Sequence, residues 1–288
     1  MKKKQIVVIV AVAAIVGYLY YLPVKPLAFA GAKADERGTG QVASAAQRPN
    51  TSSTTVTVEM VSATAKTLIG TGLSAAIVDL EGKLKNASTD ADKLPLEKQL
   101  AKKWDDVNQP APAAFYYQAI ARQENTAENW INAGDRFNDA YKLTQDTAAQ
   151  PVFDANAVDA FQNAMKLKPE SMDAKTGLGI AYVNGGGPPM QGIGLLLDVV
   201  KQDPNNRKAE LNLGLFAMKS GQFEKAVNRF KTLGAQKPEV EPYFYLAESY
   251  KQLGMRNEAI DAYQKCKEMM PDPTFDKRID QYIKELKN

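Results

Sequence analysis

Histidine is absent from the 288 residues, and cysteine occurs once, as Cys266. The first absence removes the commonest general acid–base group and the commonest metal ligand. The second excludes an intrachain disulfide and a thiolate metal cluster, and leaves the redox compartment undetermined. An excess of positive charge is missing too. The net charge is +3, and Lys2, Lys3 and Lys4 account for it; the other 33 basic residues are matched by 33 acidic ones. A neutral body has no electrostatic footprint for phosphate, so nucleic acid is not an expected partner. No catalytic, cofactor-binding or metal-binding residues are expected, and an enzyme is not the expected class. Charged residues at 24% and hydrophobic ones at 44% fit an ordinary globular chain long enough to bury a sizeable core.

What is present begins with a hydrophobic run. Three lysines precede Ile6–Leu22, which contains no charge, and Pro23 ends it. Seventeen helical residues rise about 25 Å, near the short end of what spans a bilayer. Tyr18, Tyr20 and Tyr21 collect at the far end, where aromatic rings favour the interface. The lysines keep the N-terminus in the cytoplasm and send the remainder outside, into the periplasm in a Gram-negative cell. Residues 1–24 therefore read as a membrane anchor or signal segment. Cleavage after Ala28-Phe29-Ala30 is the alternative, and would secrete the protein. Residues 25–57 are rich in Ala, Gly, Ser and Thr and read as a flexible linker.

From Val58, apolar residues recur at steps of three and four through Val61, Ala65, Leu68, Ile69, Leu73, Ala76, Ile77, Leu80 and Leu84. That stripe predicts one amphipathic leading helix over 58–90, weakened at Gly70 and Gly72 by about 1 kcal/mol each. The stripe either packs on the next element or mediates self-association through 58–86. Gly70-Thr-Gly72-Leu-Ser-Ala75 has the form of a dinucleotide fingerprint, but it lies within a helical pattern and no βαβ unit follows.

The rest of the chain is self-similar. Leu213-Gly214, Ala217, Gly221, Ala226, Phe230 and Pro238 return 33 residues later as Leu246-Ala247, Tyr250, Gly254, Ala259, Tyr263 and Pro271. Earlier copies are Trp130, Ala133-Gly134, Phe137, Ala157, Phe161 and Pro169, then Leu178-Gly179, Tyr182, Gly192, Leu196 and Pro204. The most worn is Leu100-Ala101, Trp104, Ala113 and Tyr117, with Asn125 in place of proline. In all five, the small residue of the second helix and the closing residue lie twelve apart. Extra residues fall between helices, around Thr144–Pro151 and at Gly185-Gly186-Gly187-Pro188-Pro189. Neither insertion carries a phosphate-loop Lys-Ser/Thr.

This pattern resembles the tetratricopeptide repeat family. The resemblance implies an all-α solenoid of about five helix–turn–helix repeats over 94–127, 128–170, 172–206, 207–239 and 240–273. A capping helix over 274–288 follows, with Phe275, Ile279, Tyr282, Ile283 and Leu286 on one face. It also implies that a protein or peptide partner binds a concave groove lined by the first helices. The residues at i, i+4 and i+7 would be Lys98, Lys102 and Asp105, then Ile131, Asp135 and Asn138, then Thr176, Ile180 and Val183. Leu211, Leu215 and Met218 follow, then Phe244, Glu248 and Lys251. The apolar part, Ile180, Val183, Leu211, Leu215, Met218 and Phe244, with Glu248 and Lys251 beside it, is the expected partner site. Several of these side chains could instead face neighbouring helices within the stack. A carboxylate clamp is not expected, because Asp173 and Gly177 stand where basic residues are needed. The plan of one membrane helix followed by exported repeats is also similar to that of c-type cytochrome maturation subunits and secretion-accessory proteins. An assembly factor or chaperone for exported proteins is therefore the alternative function.

Overall fold

The computed structural model describes residues 56–287. The expected anchor over 1–24 and all but the last two residues of the linker over 25–57 lie outside the described residues. Every regular element among those described is helical: α1 (Val58–Asn86), α2 (Asp90–Asp106), α3 (Pro110–Glu124), α4 (Ala127–Leu143), α5 (Gln150–Leu167), α6 (Met172–Ala181), α7 (Pro189–Gln202), α8 (Arg207–Lys219), α9 (Phe223–Gln236), α10 (Val240–Gln252), α11 (Arg256–Met269) and α12 (Pro273–Lys287). A π-helical turn, Tyr182–Gly186, separates α6 from α7. Helices α2 to α11 form five antiparallel pairs, and each pair packs on the next.

Local chemistry starts four of the five first helices. The side chains of Thr89, Thr126, Ser171 and Asn206 accept hydrogen bonds from backbone N–H groups three residues on and cap α2, α4, α6 and α8. Proline opens three of the second helices, α3, α5 and α7, where its missing N–H costs nothing. Gly221 and Gly254 take φ of 74° and 73° at the turns of the last two pairs, a left-handed conformation that favours glycine. Asn125 adopts the same conformation at the close of the first pair, and its Oδ1 accepts a hydrogen bond from Trp130 Nε1 at 2.9 Å.

Packing follows from residue size. Phe161 of α5 is fully buried, and its ring lies where a Cβ on Gly134 of α4 or on Gly177 of α6 would stand, at 2.7 and 2.1 Å. Phe230 of α9 meets Gly214 of α8 in the same way at 2.6 Å, and Leu196 of α7 meets Gly179 of α6 at 2.9 Å. In these three pairs a large side chain from the second helix thus occupies the gap left by a small residue on its own first helix. At Phe161 the next pair's first helix supplies a second gap. The C-terminal end is closed by α12, whose Tyr282 stacks on Tyr263 at 5.6 Å and lies 6.2 Å from Phe244.

The single leading helix expected over 58–90 needs correction. At Gly70 the backbone leaves the helix, with φ 77° and ψ 170°. Beyond it Ser62 Oγ donates to Glu81 Oε1, and Lys66 Nζ lies 2.5 Å from Glu81 Oε2. Fifteen residues of continuous helix would hold Lys66 and Glu81 about 22 Å apart, so α1 is a hairpin of two arms. By length and composition Val58–Asn86 could cross a membrane, but each arm falls short of the roughly 20 residues a span requires. The apolar stripe divides accordingly. Ala65, Ile77 and Leu80 enter the core with Leu100, Trp104, Ala113 and Ile120, while Leu68 and Leu73 face solvent.

Gly177→Ala places a methyl group inside the Phe161 ring. It should destabilise the stack by roughly 1–3 kcal/mol, as overpacked cores do, and lower the urea midpoint. Phe161→Leu in the same chain should recover part of that loss. Additive losses in the double variant would contradict the packing described.

Candidate functional site

The first helices α4, α6, α8 and α10 share one side of the stack. Lys208 of α8 reaches across the short α6 to Asp135 of α4, with Nζ to Oδ1 at 2.6 Å. A contact between two pairs that are not neighbours requires this side to be concave. Charges from three pairs meet there. Lys208 acts electrostatically on Asp139 of α4, and Lys142 of α4 acts on Glu241 of α10. The carboxyls of Asp139 and Glu241 are both raised above the ordinary range, chiefly because crowding by the surrounding helices strips them of solvent; Lys142 opposes the shift in each case. Glu241 is exposed and the Asp139 side chain is 48% exposed, so both lie on the open face of the stack and neither is part of the core.

The floor of the cleft follows from helical spacing. Lys208, Leu211, Leu215 and Met218 recur at three- and four-residue steps, so they share the face that Lys208 turns toward α4. Leu211, Leu215 and Met218 are half-buried and retain the character expected of a partner surface, apolar and partly open. Val183, on the π-helical turn, is also half-buried, but its Cγ2 lies against Gly192 of the second helix α7.

The other expected groove residues do not join them. Ile180 is 1% exposed and packs with Leu196, Val199, Ala209 and Leu213 between α6, α7 and α8. Phe244 is 6% exposed and sits edge-on to Tyr263 and Tyr245. Glu248 Oε1 accepts a hydrogen bond from the Tyr263 hydroxyl, and the Lys251 ammonium lies 5.8 Å from the Tyr282 ring centroid. Phe244 is thus a core residue and its place in the groove is corrected; Glu248 and Lys251 remain half-buried, the first tied to α11 and the second set over a ring of α12. Thr176 and Asn138 are buried; Asn138 Nδ2 donates to Gly177 O at 3.1 Å and ties α4 to α6. Asp105 is held by Arg136 at 2.6 and 2.9 Å and by the Tyr117 hydroxyl at 2.8 Å, and Lys98 pairs with Glu124. Lys142, Lys208 and Glu241 continue those same faces but lie one step beyond the three positions assigned to each helix, which is why the sequence pattern did not include them.

A buried polar group sits beside this surface. Asp154 of α5 is 4% exposed, and its Oδ1 has no hydrogen-bond partner among the described residues. Burial pushes its carboxyl up to about 7, with Lys219 the only charge acting against the shift. The group faces Gly185, at φ 136° in the π-helical turn, and the neighbouring Asn184 Nδ2 is also buried without a partner. Tyr141 donates to Asn184 O at 2.9 Å and fixes the turn to α4. Cys266 is fully buried, with its thiol pushed up to about 12 by burial, which makes it an inert packing group. Among the described residues no group of three or more Asp, Glu, His or Cys side chains is placed to hold a metal ion.

Residues 243–272 match the tetratricopeptide repeat family model. A comparison with curated proteins finds no match. Among solved structures, the chain is similar to PilW, a type IV pilus biogenesis factor, at 19% identity and a TM-score of 0.49, over 64% of this chain and 80% of that one. It is also similar to MamA residues 41–end from Desulfovibrio magneticus RS-1, at 21% identity and a TM-score of 0.45, over 64% and 97% of the two chains. YrrB, a TPR protein with an unusual peptide-binding site, aligns at 17% identity and a TM-score of 0.42, over 73% and 98%.

Asp154 gives a pH dependence with a definite sign. Its folded-state pKa, about 7, exceeds the ordinary 3.8, so the native state holds the proton more tightly. Stability should fall as pH rises between about 4 and 7 and level off above. Asp154→Asn should flatten that slope and raise the urea midpoint at pH 8 while leaving it nearly unchanged at pH 4. An unaltered slope would mean that another group titrates.

Proposed function

We propose that this chain, which carries tetratricopeptide repeats, is a membrane-tethered, exported scaffold that holds a segment of a protein partner in its concave cleft. The observation that carries the reading is the pairing of an apolar floor with a charged rim. Leu211, Leu215 and Met218 are half-buried on one face of α8, and Asp135, Asp139, Lys142, Lys208 and Glu241 bring both signs of charge to the same side. Partly open apolar side chains supply affinity, since each fully buried one is worth roughly 1.5–3 kcal/mol. Fixed charges of both signs supply orientation and select against wrong partners. A peptide, helical or extended, fits such a surface better than a rigid globular face does.

The tether rests on the sequence: three lysines, an uncharged run over Ile6–Leu22, and tyrosines at its far end. Tethering raises the effective concentration of the scaffold for partners in the same membrane. Nothing in the residues of the cleft calls for catalysis.

Full-length chain solubilised from membranes should capture partner proteins, and Leu215→Glu or Met218→Glu should weaken capture about tenfold or more, the loss of one buried side chain. Leu197→Glu, at a position 45% exposed on the second helix α7, should leave capture intact. Equal capture by all three variants would show that partners bind elsewhere.

A further inference from the structure

The turn of the α1 hairpin is apolar, uncharged and open. Between Lys66 and Asp79 no residue carries a charge. Leu68 and Leu73 flank the turn at 72% and 60% exposure, and Val78 is 52% exposed. Gly70 and Gly72 have nothing within 4 Å of the position a Cβ would take, so the tip and outer side of the turn are open, while Ile69 and Ser74 on its inner side meet the stack. The charges that bound it are spent within the hairpin: Lys66 pairs with Glu81 and Lys83 with Asp79.

From this we infer that the hairpin turn enters the surface of a lipid bilayer. The uncharged cap has the right height. Lys66 lies four residues before Gly70 and Asp79 nine after it, or about 6 and 13 Å along the arms at 1.5 Å per residue. Interfacial elements bury their apolar parts about 5–10 Å deep, so the paired charges come to rest at headgroup level. A second copy of the chain is a poorer occupant. A stable interface takes about 800 Å² from each partner, and a projecting turn with a few apolar side chains does not offer that much.

The position of the hairpin in the chain also favours lipid, and this argument rests on the anchor reading above. The hairpin is the first of the described elements, and 33 residues, Pro23 to Thr55, join the described residues to the expected anchor Ile6–Leu22. It is therefore the part of the described structure connected most directly to that anchor.

The single buried thiol makes the test clean. In a Cys266→Ala background, Thr71→Cys on the turn and Gln145→Cys on the exposed α4–α5 turn are each labelled with a polarity-sensitive dye. The full chain is then reconstituted into phosphatidylethanolamine–phosphatidylglycerol vesicles with plain or brominated acyl chains. Dye at position 71 should emit to the blue and lose most of its emission in brominated lipid, whereas dye at position 145 should do neither. Leu68→Gln with Leu73→Gln should abolish both effects at position 71 without changing the helical circular dichroism. Flotation with the vesicles reports the anchor separately. A chain that floats while its turn stays wet overturns the insertion and leaves the anchor standing; a chain that does not float overturns both. A blue shift that brominated lipid does not quench identifies a second copy as the occupant and also ends the proposal.

Discussion

The stack depends on one steric relation: a side chain with no Cβ, or only a methyl group, on the first helix of a pair admits a ring or a leucine from the second. Gly134 and Gly177 receive Phe161, Gly179 receives Leu196 and Gly214 receives Phe230. Because Phe161 touches first helices of two successive pairs, one ring sets both the closure of its own pair and the seating of the next. Solenoid stability is carried by such nearest-neighbour terms. That is why the repeat conserves its small positions along this chain while its surface residues drift. It also explains where extra residues are tolerated. The α4–α5 pair takes its insertion between Leu143 and Gln150, outside the small-for-large contact, and its two helices are 17 and 18 residues long.

The stack brings first helices of non-neighbouring pairs within reach of one another on one side. The shortest of them, α6 with 10 residues, lies between α4 and α8, and Lys208 spans it to meet Asp135. Asp139, Lys142 and Glu241 act on that side too, with both carboxyls raised by the protein around them and all three side chains open to solvent. An ion pair of this kind, with partners 45% and 27% exposed, contributes little to stability. Its effect is on width, since a cleft bridged by a flexible lysine opens at small cost.

The sequence made the solenoid legible because its determinants are local and periodic. Ala157 and Pro169, or Ala226 and Pro238, stand at one spacing whatever the turn between helices does. The α1 hairpin was hidden for the converse reason. Steps of three and four residues run through Gly70 without interruption, so the stripe from Val58 to Leu84 gives no sign that the backbone reverses; only the pair Gly70 and Gly72 hinted at it. The cleft was half legible. Leu211, Leu215 and Met218 lie where a first helix of an interior pair shows its free face. Phe244, Glu248 and Lys251 occupy the same register, but Phe244 is a core residue, Glu248 is tied to α11 and Lys251 is set over a ring of α12; helical phase within one element carries no information about what the next element covers. The charges at Lys142, Lys208 and Glu241 come together only through the curvature of the whole stack.

A one-dimensional stack has two open ends, and each must hide an apolar face that no neighbour covers. At the C-terminus the solution is complete. Helix α12 lays Phe275, Ile279, Ile283 and Leu286 inward, all buried, and turns its lysines outward. At the N-terminus the α1 hairpin covers the first pair with Ala65, Ile77 and Leu80, yet its outer side carries Met60, Leu68, Leu73 and Val78 at half exposure or more. A cap whose only task was to seal the stack would carry charge at those positions, as α12 does. The asymmetry therefore separates the two ends by role: one terminates the fold, and the other, which the N-terminal segment joins, presents a surface built to meet something apolar.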